Sequence, residues 1–297
     1  MQWFGGFEAG CYAVNGVSIF ARRGAARGRP PLLLLHGFPQ THAMWHRVAQ
    51  QLAPHFDLVL PDLRGYGDSD APPGAPDHAN YSKRTMAADL MALMRLLGHE
   101  RFFVAAHDRG ARVAHRMALD HADAVLKLLL LDIAPTLDMY EATDMAFARA
   151  YDHWFHLIQP APLPEHMIEG AAREYLQAKL GGWGAAGLAH IEPQALAEYE
   201  RCFCRPATIH AMCEDYRASA GIDLEHDRAS RAAGVLIGCD LRVLWGERGV
   251  VHRLFDPLLL WADQCAGQVS GRTLPAGHFI PEQLPEETAA EIAAFFA

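Results

Sequence analysis

The sequence predicts an α/β protein, a doubly wound and mostly parallel sheet interrupted by an inserted helical cap. Three observations predict it. Apolar runs ending in His, Asp or Gly recur along the chain, helical patterns separate them, and between about 136 and 234 the alternation stops. Continuous apolar runs are what parallel strands look like when helices cover both faces of a sheet. Strand-helix alternation builds an open sheet whose ligands lie at the C-terminal ends of the strands.

Taken in order, "GVSIFARRG" reads as an early strand and "RPPLLLLHGF" as a fully buried one, followed by "FDLVLPDLRG", "RFFVAAHD" and "VLKLLLLDIAP". Between them "THAMWHRVAQQLAP" and "KRTMAADLMALMRLLG" read as helices. The second closes at Gly98, because glycine accepts the left-handed backbone that ends many helices. From Thr136 to Gly234 the chain is rich in Ala, Glu and aromatic residues, carries no strand pattern and is broken by "QPAPLPEH" and "LGGWGAAG". The strand pattern returns at "DLRVLWGE". The expected organisation is a core of 1–135 and 235–297, with 136–234 as a helical cap over the strand ends.

A chain of 297 residues that is 51% hydrophobic has the apolar material for a real core. Its formal charge of -9 argues against a nucleic-acid surface, but leaves room for a small anionic substrate met by local arginines. The opening "MQWFGGFEAGCYAVNG" lacks the basic and apolar regions of a leader, and "LLLLHG" is far too short to span a bilayer. A cytoplasmic setting without membrane or nucleic-acid partners is therefore expected. The six cysteines read as scattered reduced thiols. Cys202, Cys204, His210 and Cys213 can be imagined as a zinc site, yet C-x-C matches no common zinc knuckle, and residues two apart on a helix face different ways. Packing thiols and no metal are expected.

The stretch Ala106-His107-Asp108-Arg109-Gly110 follows the strand-like "FFV" and opens an Ala-rich helix. Small residues two before and two after the centre suit a turn sharp enough to project a nucleophile. A plain helix N-cap is the alternative reading of Asp108. Its company is "HGFPQ" (36–40), "DLRGYGDSD" (62–70) and "PAGHFIPEQLPEE", which contains His278. These four stretches, in this order, resemble the α/β-hydrolase superfamily over essentially the whole chain. The superfamily commonly places Ser in G-x-S-x-G, where this chain has Asp108. A serine that attacked a saturated carbon would end as an inert ether. A carboxylate ends as an ester that water can cleave at its carbonyl. Asp108 thus implies displacement at an sp³ carbon, from a halide or an epoxide.

His278, one of 17 histidines, is the natural base for the water in its "GHF" setting. The superfamily often carries the supporting acid in "WGExD", but this chain reads "WGERGVV", with Gly249 in the acid's place. Asp132, at the end of "LLLLDIAP", is preferred over Glu247 and Asp256 for holding the imidazole in its correct tautomer. In the same scheme the backbone N–H groups of Phe38 and Arg109 form the oxyanion hole.

Arg109 and Arg112 stand in the first turn of the helix, where the helix end already favours anions. Their best use is a substrate carboxylate, which guanidinium forks bind bidentately. A salt-bridged pair is the alternative. His115 and Arg116 read as surface or packing residues. "HDRGAR" is similar to the haloacetate dehalogenases, the fluoroacetate-cleaving ones in particular, rather than to the "HDWG" of haloalkane dehalogenases and epoxide hydrolases. That resemblance implies a lid with halide-binding donors, His153 and Trp154 in "YDHWFH" and Tyr216 in "CEDYRASAG". Fluoride is strongly hydrated, so N–H and O–H donors must replace its water. Apart from the resemblance, such an aromatic pair reads equally as core packing. Tyr140, Tyr151, His156 and Trp183 are cavity-wall candidates without a role.

The implied reaction converts a haloacetate to glycolate and halide with no metal or organic cofactor, and the resemblance implies a homodimer. Two alternatives stand beside it. An epoxide hydrolase would use Tyr216 with Tyr151 or Tyr140 and leave the arginines unexplained. A non-catalytic small-molecule receptor need not keep nucleophile, base and acid.

Overall fold

Residues 3–25 and 28–297 are described by the computed structural model, so the stretch read for a leader begins at Met1-Gln2, outside them. The chain opens with a hairpin of β1 (Phe7–Val14) and β2 (Val17–Gly24), paired antiparallel. Asn15 and Gly16 join the strands at φ 45° and 74°, the two left-handed residues that a two-residue hairpin turn requires. β1 is absent from the sequence expectation because it is an edge strand without a clean buried face.

The strands that follow are β3 (Pro31–Leu35), β4 (Asp57–Pro61), β5 (Phe102–His107), β6 (Val125–Leu131), β7 (Asp240–Gly246) and β8 (Val269–Leu274). The sheet order is β1-β2-β4-β3-β5-β6-β7-β8, parallel from β4 across to β8, with β2 antiparallel to β4. β8 escaped the sequence reading because its Ser, Gly, Arg and Thr give no apolar run at the sheet edge. Leu32 to Leu35, Leu58 to Leu60 and Leu128 to Leu131 are completely buried. Each such aliphatic side chain contributes about 1.5–3 kcal/mol by leaving water.

Helices α1 (His46–Leu52), α2 (Lys83–Leu96) and α3 (Asp108–Asp120) connect the first parallel strands. α2 begins where Ser82 Oγ accepts from Thr85 N and ends where Gly98, at φ 89°, lets His99 N reach Met94 O. Between β6 and β7 the described chain is helical: α4 (Thr136–Glu141), α5 (Met145–Ala150), α6 (Asp152–His156), α7 (Leu163–Glu169), α8 (Ala172–Leu180), α9 (Pro193–Phe203), α10 (Pro206–Ala220) and α11 (Ile222–Ala232). α12 (Val250–Leu254) and α13 (Pro257–Ala262) precede β8, and α14 (Ile280–Gln283) and α15 (Pro285–Phe296) follow it. No helix among the described residues is long and apolar enough to cross a membrane.

The cysteines weighed above as metal ligands do not converge. Cys204 is exposed, and Cys202 lies beside Asp68 and Glu198, apart from the Glu165, His210 and Glu214 group. In that second group the Arg217 guanidinium already bridges Glu165 and Glu214 at 2.7 Å each.

Candidate active site

Asp108 sits at the junction of β5 and α3 with φ 44°, a backbone that a non-glycine residue adopts at a cost of about 1–3 kcal/mol. The turn has room for nothing larger around it. A Cβ on Gly37 would stand 2.5 Å from the Asp108 Cβ, and one on Gly110 would stand 2.3 Å from the His36 carbonyl oxygen. Asp108 is not an N-cap. His107 occupies that position without a capping side-chain bond, and Asp108 Oδ1 instead accepts from Phe38 N at 2.9 Å. Oδ2 faces His278 Nε2 at 4.0 Å. Burial alone would raise the Asp108 pKa, but the charges of His278, Arg112, His107 and Arg109 outweigh it and hold the carboxyl below its ordinary value. The N–H of Arg109, in the first turn of α3, belongs to the donors that a helix leaves without an internal partner.

His278 Nδ1 lies 2.6 Å from Asp132 Oδ2, while Gly246 N donates to Asp132 Oδ1 at 2.9 Å. Asp132 also has positive φ, 50°, at the end of β6. A Cβ on Gly249 would stand 3.1 Å from Asp132 Oδ1, so the slot that often carries the acid adjoins Asp132. Glu247 is half exposed, and Asp256 caps α13 by accepting from Leu259 N. The loop bearing His278 is fixed twice. His278 N donates to Trp183 O at 3.0 Å, and His107 Nε2 donates to the His278 carbonyl at 2.8 Å. Burial pushes the His107 pKa down to about 3, so its neutral ring serves as that donor. Burial also opposes charge on His278, but the hydrogen bond and charge of Asp132, with the charge of Asp108, raise its pKa above the ordinary histidine value.

The two arginines are completely or almost completely buried, and neither presents a whole fork. Arg109 donates Nε to Asp215 Oδ2 at 2.9 Å and Nη2 to Asp215 Oδ1 at 2.8 Å and to its carbonyl at 3.0 Å. Only Nη1 is left without a partner. Arg112 donates Nη1 to Ala134 O and Thr136 Oγ1 and Nη2 to Met139 Sδ, which leaves Nε without a partner. The two whole forks expected above are thus narrowed to one unpartnered nitrogen each, Arg109 Nη1 and Arg112 Nε. Asp215 was missed by sequence reasoning. Its one visible signal is an acidic pair, Glu214-Asp215, directly before Tyr216. Arg116 is buried against Asp227, and His115 packs edge-on against Trp261.

His153, Trp154 and Tyr216 converge on the same place. His153 stacks on Phe38 at 5.5 Å between ring centres, and Tyr216 meets both rings edge-on at 5.4 and 5.5 Å. The Arg109 guanidinium lies 4.1 Å from the Tyr216 ring centre, and that of Arg112 lies 4.7 Å from the Trp154 ring centre. His153 Nδ1 and Tyr216 Oη are buried without a partner. Tyr140 and Tyr151 flank Trp154, and Trp183 meets His278 edge-on at 5.3 Å. His156 lies against Tyr175 instead.

The arrangement has counterparts among known proteins. A family model described as "alpha/beta hydrolase fold" matches residues 30–168. The fluoroacetate dehalogenase of a Burkholderia species is 47% identical over 96% of this chain and 92% of its own. A soluble epoxide hydrolase of Corynebacterium sp. (strain C12) is 30% identical over 90% of each chain. The crystal structure of an alpha/beta hydrolase from Nostoc sp PCC 7120 superposes with a TM-score of 0.94 at 52% identity, covering 98% of each chain. With its sheet order, the strained aspartate at the strand-helix turn and these relatives, the chain belongs to the alpha/beta hydrolase family, in the company of fluoroacetate dehalogenase.

Proposed function

We propose that this protein hydrolyses haloacetates, fluoroacetate and chloroacetate among them, to glycolate and halide through an alkyl ester on Asp108. One observation carries the reading: around an ionised carboxylate with one free oxygen, Arg109 Nη1, Arg112 Nε, His153 Nδ1 and Tyr216 Oη are all buried without a partner. Each unsatisfied polar group costs about 1–3 kcal/mol, which a ligand with a carboxylate at one end and a halogen at the other relieves. The relation to the Burkholderia enzyme supports the same substrate class.

Asp108 Oδ2 attacks the carbon from the side opposite the halogen, forming the C–O bond as the C–X bond breaks. Oδ1, held by Phe38 N, becomes the ester carbonyl. The arginine edges hold the substrate carboxylate, and His153, Trp154 and Tyr216 donate to the departing halide in place of water. His278 Nε2 then takes a proton from water as that water adds to the ester carbonyl. The tetrahedral oxyanion is met by the N–H groups of Phe38 and Arg109, and collapse expels glycolate, which receives its proton from His278. Asp132 fixes the His278 ring. Segment 136–234 serves as the lid that supplies the halide donors and excludes bulk water.

A second reading, epoxide hydrolysis, is favoured by Tyr140 Oη and Tyr216 Oη, two buried phenols without partners that could protonate an opening ring. It leaves the arginine edges unused. Halide release from fluoroacetate and chloroacetate, side by side and with Asp108→Asn as control, tests the proposal. Fluoride and chloride from the parent and neither from the variant is the expected result. Chloride alone would remove the fluoride role of the lid donors, and a diol from styrene oxide without any halide release would replace the proposal with the second reading.

A further inference from the structure

Arg109 directly follows an ionised nucleophile and is itself buried, so the nearest partner in sequence for its guanidinium is Asp108. The structure pairs it elsewhere. Asp215, on α10, takes three N–H groups of Arg109 on its carboxylate and carbonyl oxygens. Its own oxygens are in turn fixed by the Tyr66 hydroxyl at 2.7 Å and by an ion pair with Lys83. Lys83 is further paired with Asp223, 3.5 Å away. Two cations, Arg109 and Lys83, thus face two carboxylates, Asp215 and Asp223, and burial pushes the Asp223 pKa up to about 6.

We infer that Asp215 is a positioning residue that keeps Arg109 off the Asp108 nucleophile and turns its Nη1 edge toward the substrate carboxylate. A fork closed on Asp108 would tie up the lone pairs that attack carbon. A fork closed on Asp215 leaves Asp108 Oδ2 free and leaves one donor nitrogen for the substrate. Asp215 precedes Tyr216 on the same buried helix, and the guanidinium lies over the Tyr216 ring, so seating this helix sets a carboxylate contact and a halide donor together. Burial opposes the charge on Asp215, but Arg109 and Lys83 keep it ionised, its pKa held below the ordinary value.

This inference rests on the haloacetate reading, and its test separates the two. Asp215→Asn alone would leave an excess buried cation and could fail to fold. Lys83→Met/Asp215→Asn removes one charge of each sign and is compared with Lys83→Met/Asp223→Asn, which does the same and leaves the Arg109–Asp215 pair in place. Chloroacetate binding is measured by calorimetry with each set also carrying Asp108→Asn, and KM and kcat are measured without it. The expected result is chloroacetate binding about 10-fold or more weaker in the Asp215 variant, the scale of one charge-assisted hydrogen bond. KM should rise and kcat should fall, with thermal midpoints matching the Lys83→Met/Asp223→Asn reference. Equal binding in the two sets overturns the role of Asp215. Chloroacetate that binds none of the proteins, the parent Asp108→Asn included, overturns the haloacetate reading and this inference with it.

Discussion

The backbone N–H of Phe38 donates to Asp108 Oδ1 at 2.9 Å. That bond distinguishes the two carboxylate oxygens before any substrate arrives. Oδ1 is engaged where, in the proposed reaction, the ester carbonyl needs a donor, and Oδ2 is left facing His278. Asp108→Asn should therefore keep the fold and the Phe38 bond while losing the nucleophile. Halide release should fall to background, with an unchanged melting temperature, in a fluoride or chloride assay.

In the proposed reaction His278 enters only after the ester has formed. His278→Ala should release about one halide per active site and then stop, by the burst logic of a covalent intermediate. Mass spectrometry of the peptide containing Asp108 should find a carboxymethyl group on it, and steady turnover in this variant would contradict the assignment.

The pH dependence follows from the sign of the His278 shift. The base must be neutral, and the hydrogen bond and charge of Asp132 raise its pKa even after esterification has removed the Asp108 charge, so kcat should climb with pH through the pKa of His278. Below that value the imidazolium cannot accept the proton of water. Asp132→Asn removes one of the charges that raise the pKa and the acceptor that fixes the tautomer, and by analogy with other triads kcat should fall about 10³–10⁴-fold. A pH profile of both proteins checks the two effects.

Among the described residues Arg112 makes no hydrogen bond to a carboxylate; its Nη1 and Nη2 bonds go to Ala134 O, Thr136 Oγ1 and Met139 Sδ. In the proposed reaction its Nε, together with Arg109 Nη1, is left for the substrate carboxylate. Arg112→Ala should lower kcat/KM for haloacetates by about 10–100-fold, the range for a lost hydrogen bond to a charged group, mainly through KM. Measured KM and kcat decide between this and a packing role, which would lower the melting temperature without moving KM.

Gly110 is required by contact rather than by backbone angle. Gly110→Ala would place a Cβ 2.3 Å from the His36 carbonyl oxygen, so the turn must shift. A loss of about 1–3 kcal/mol in stability is expected from such overpacking, together with lower turnover because Asp108 moves with the turn. Denaturant unfolding and the halide assay measure both.

The parts of the site that the sequence made legible are those written locally. Asp108, Asp132 and His278 each close or follow a strand within a short motif, and Gly249 pointed away from its own slot to Asp132. Asp215 was not legible because it meets Arg109 across 106 residues, and no local pattern records such a pairing. The same reasoning from isolated side chains gave both arginines whole forks. Only the packed structure shows Asp215, Thr136 and Met139 taking part of each. β1 and β8 escaped because edge strands need no apolar run.

The central claim is that the oxygen delivered to carbon comes from Asp108 and not directly from water. A single turnover of chloroacetate by excess enzyme in water labelled with heavy oxygen tests it most directly. The account predicts unlabelled glycolate and label in the Asp108 carboxylate. Labelled glycolate with an unlabelled Asp108 would show that water attacks the carbon itself and would contradict the account.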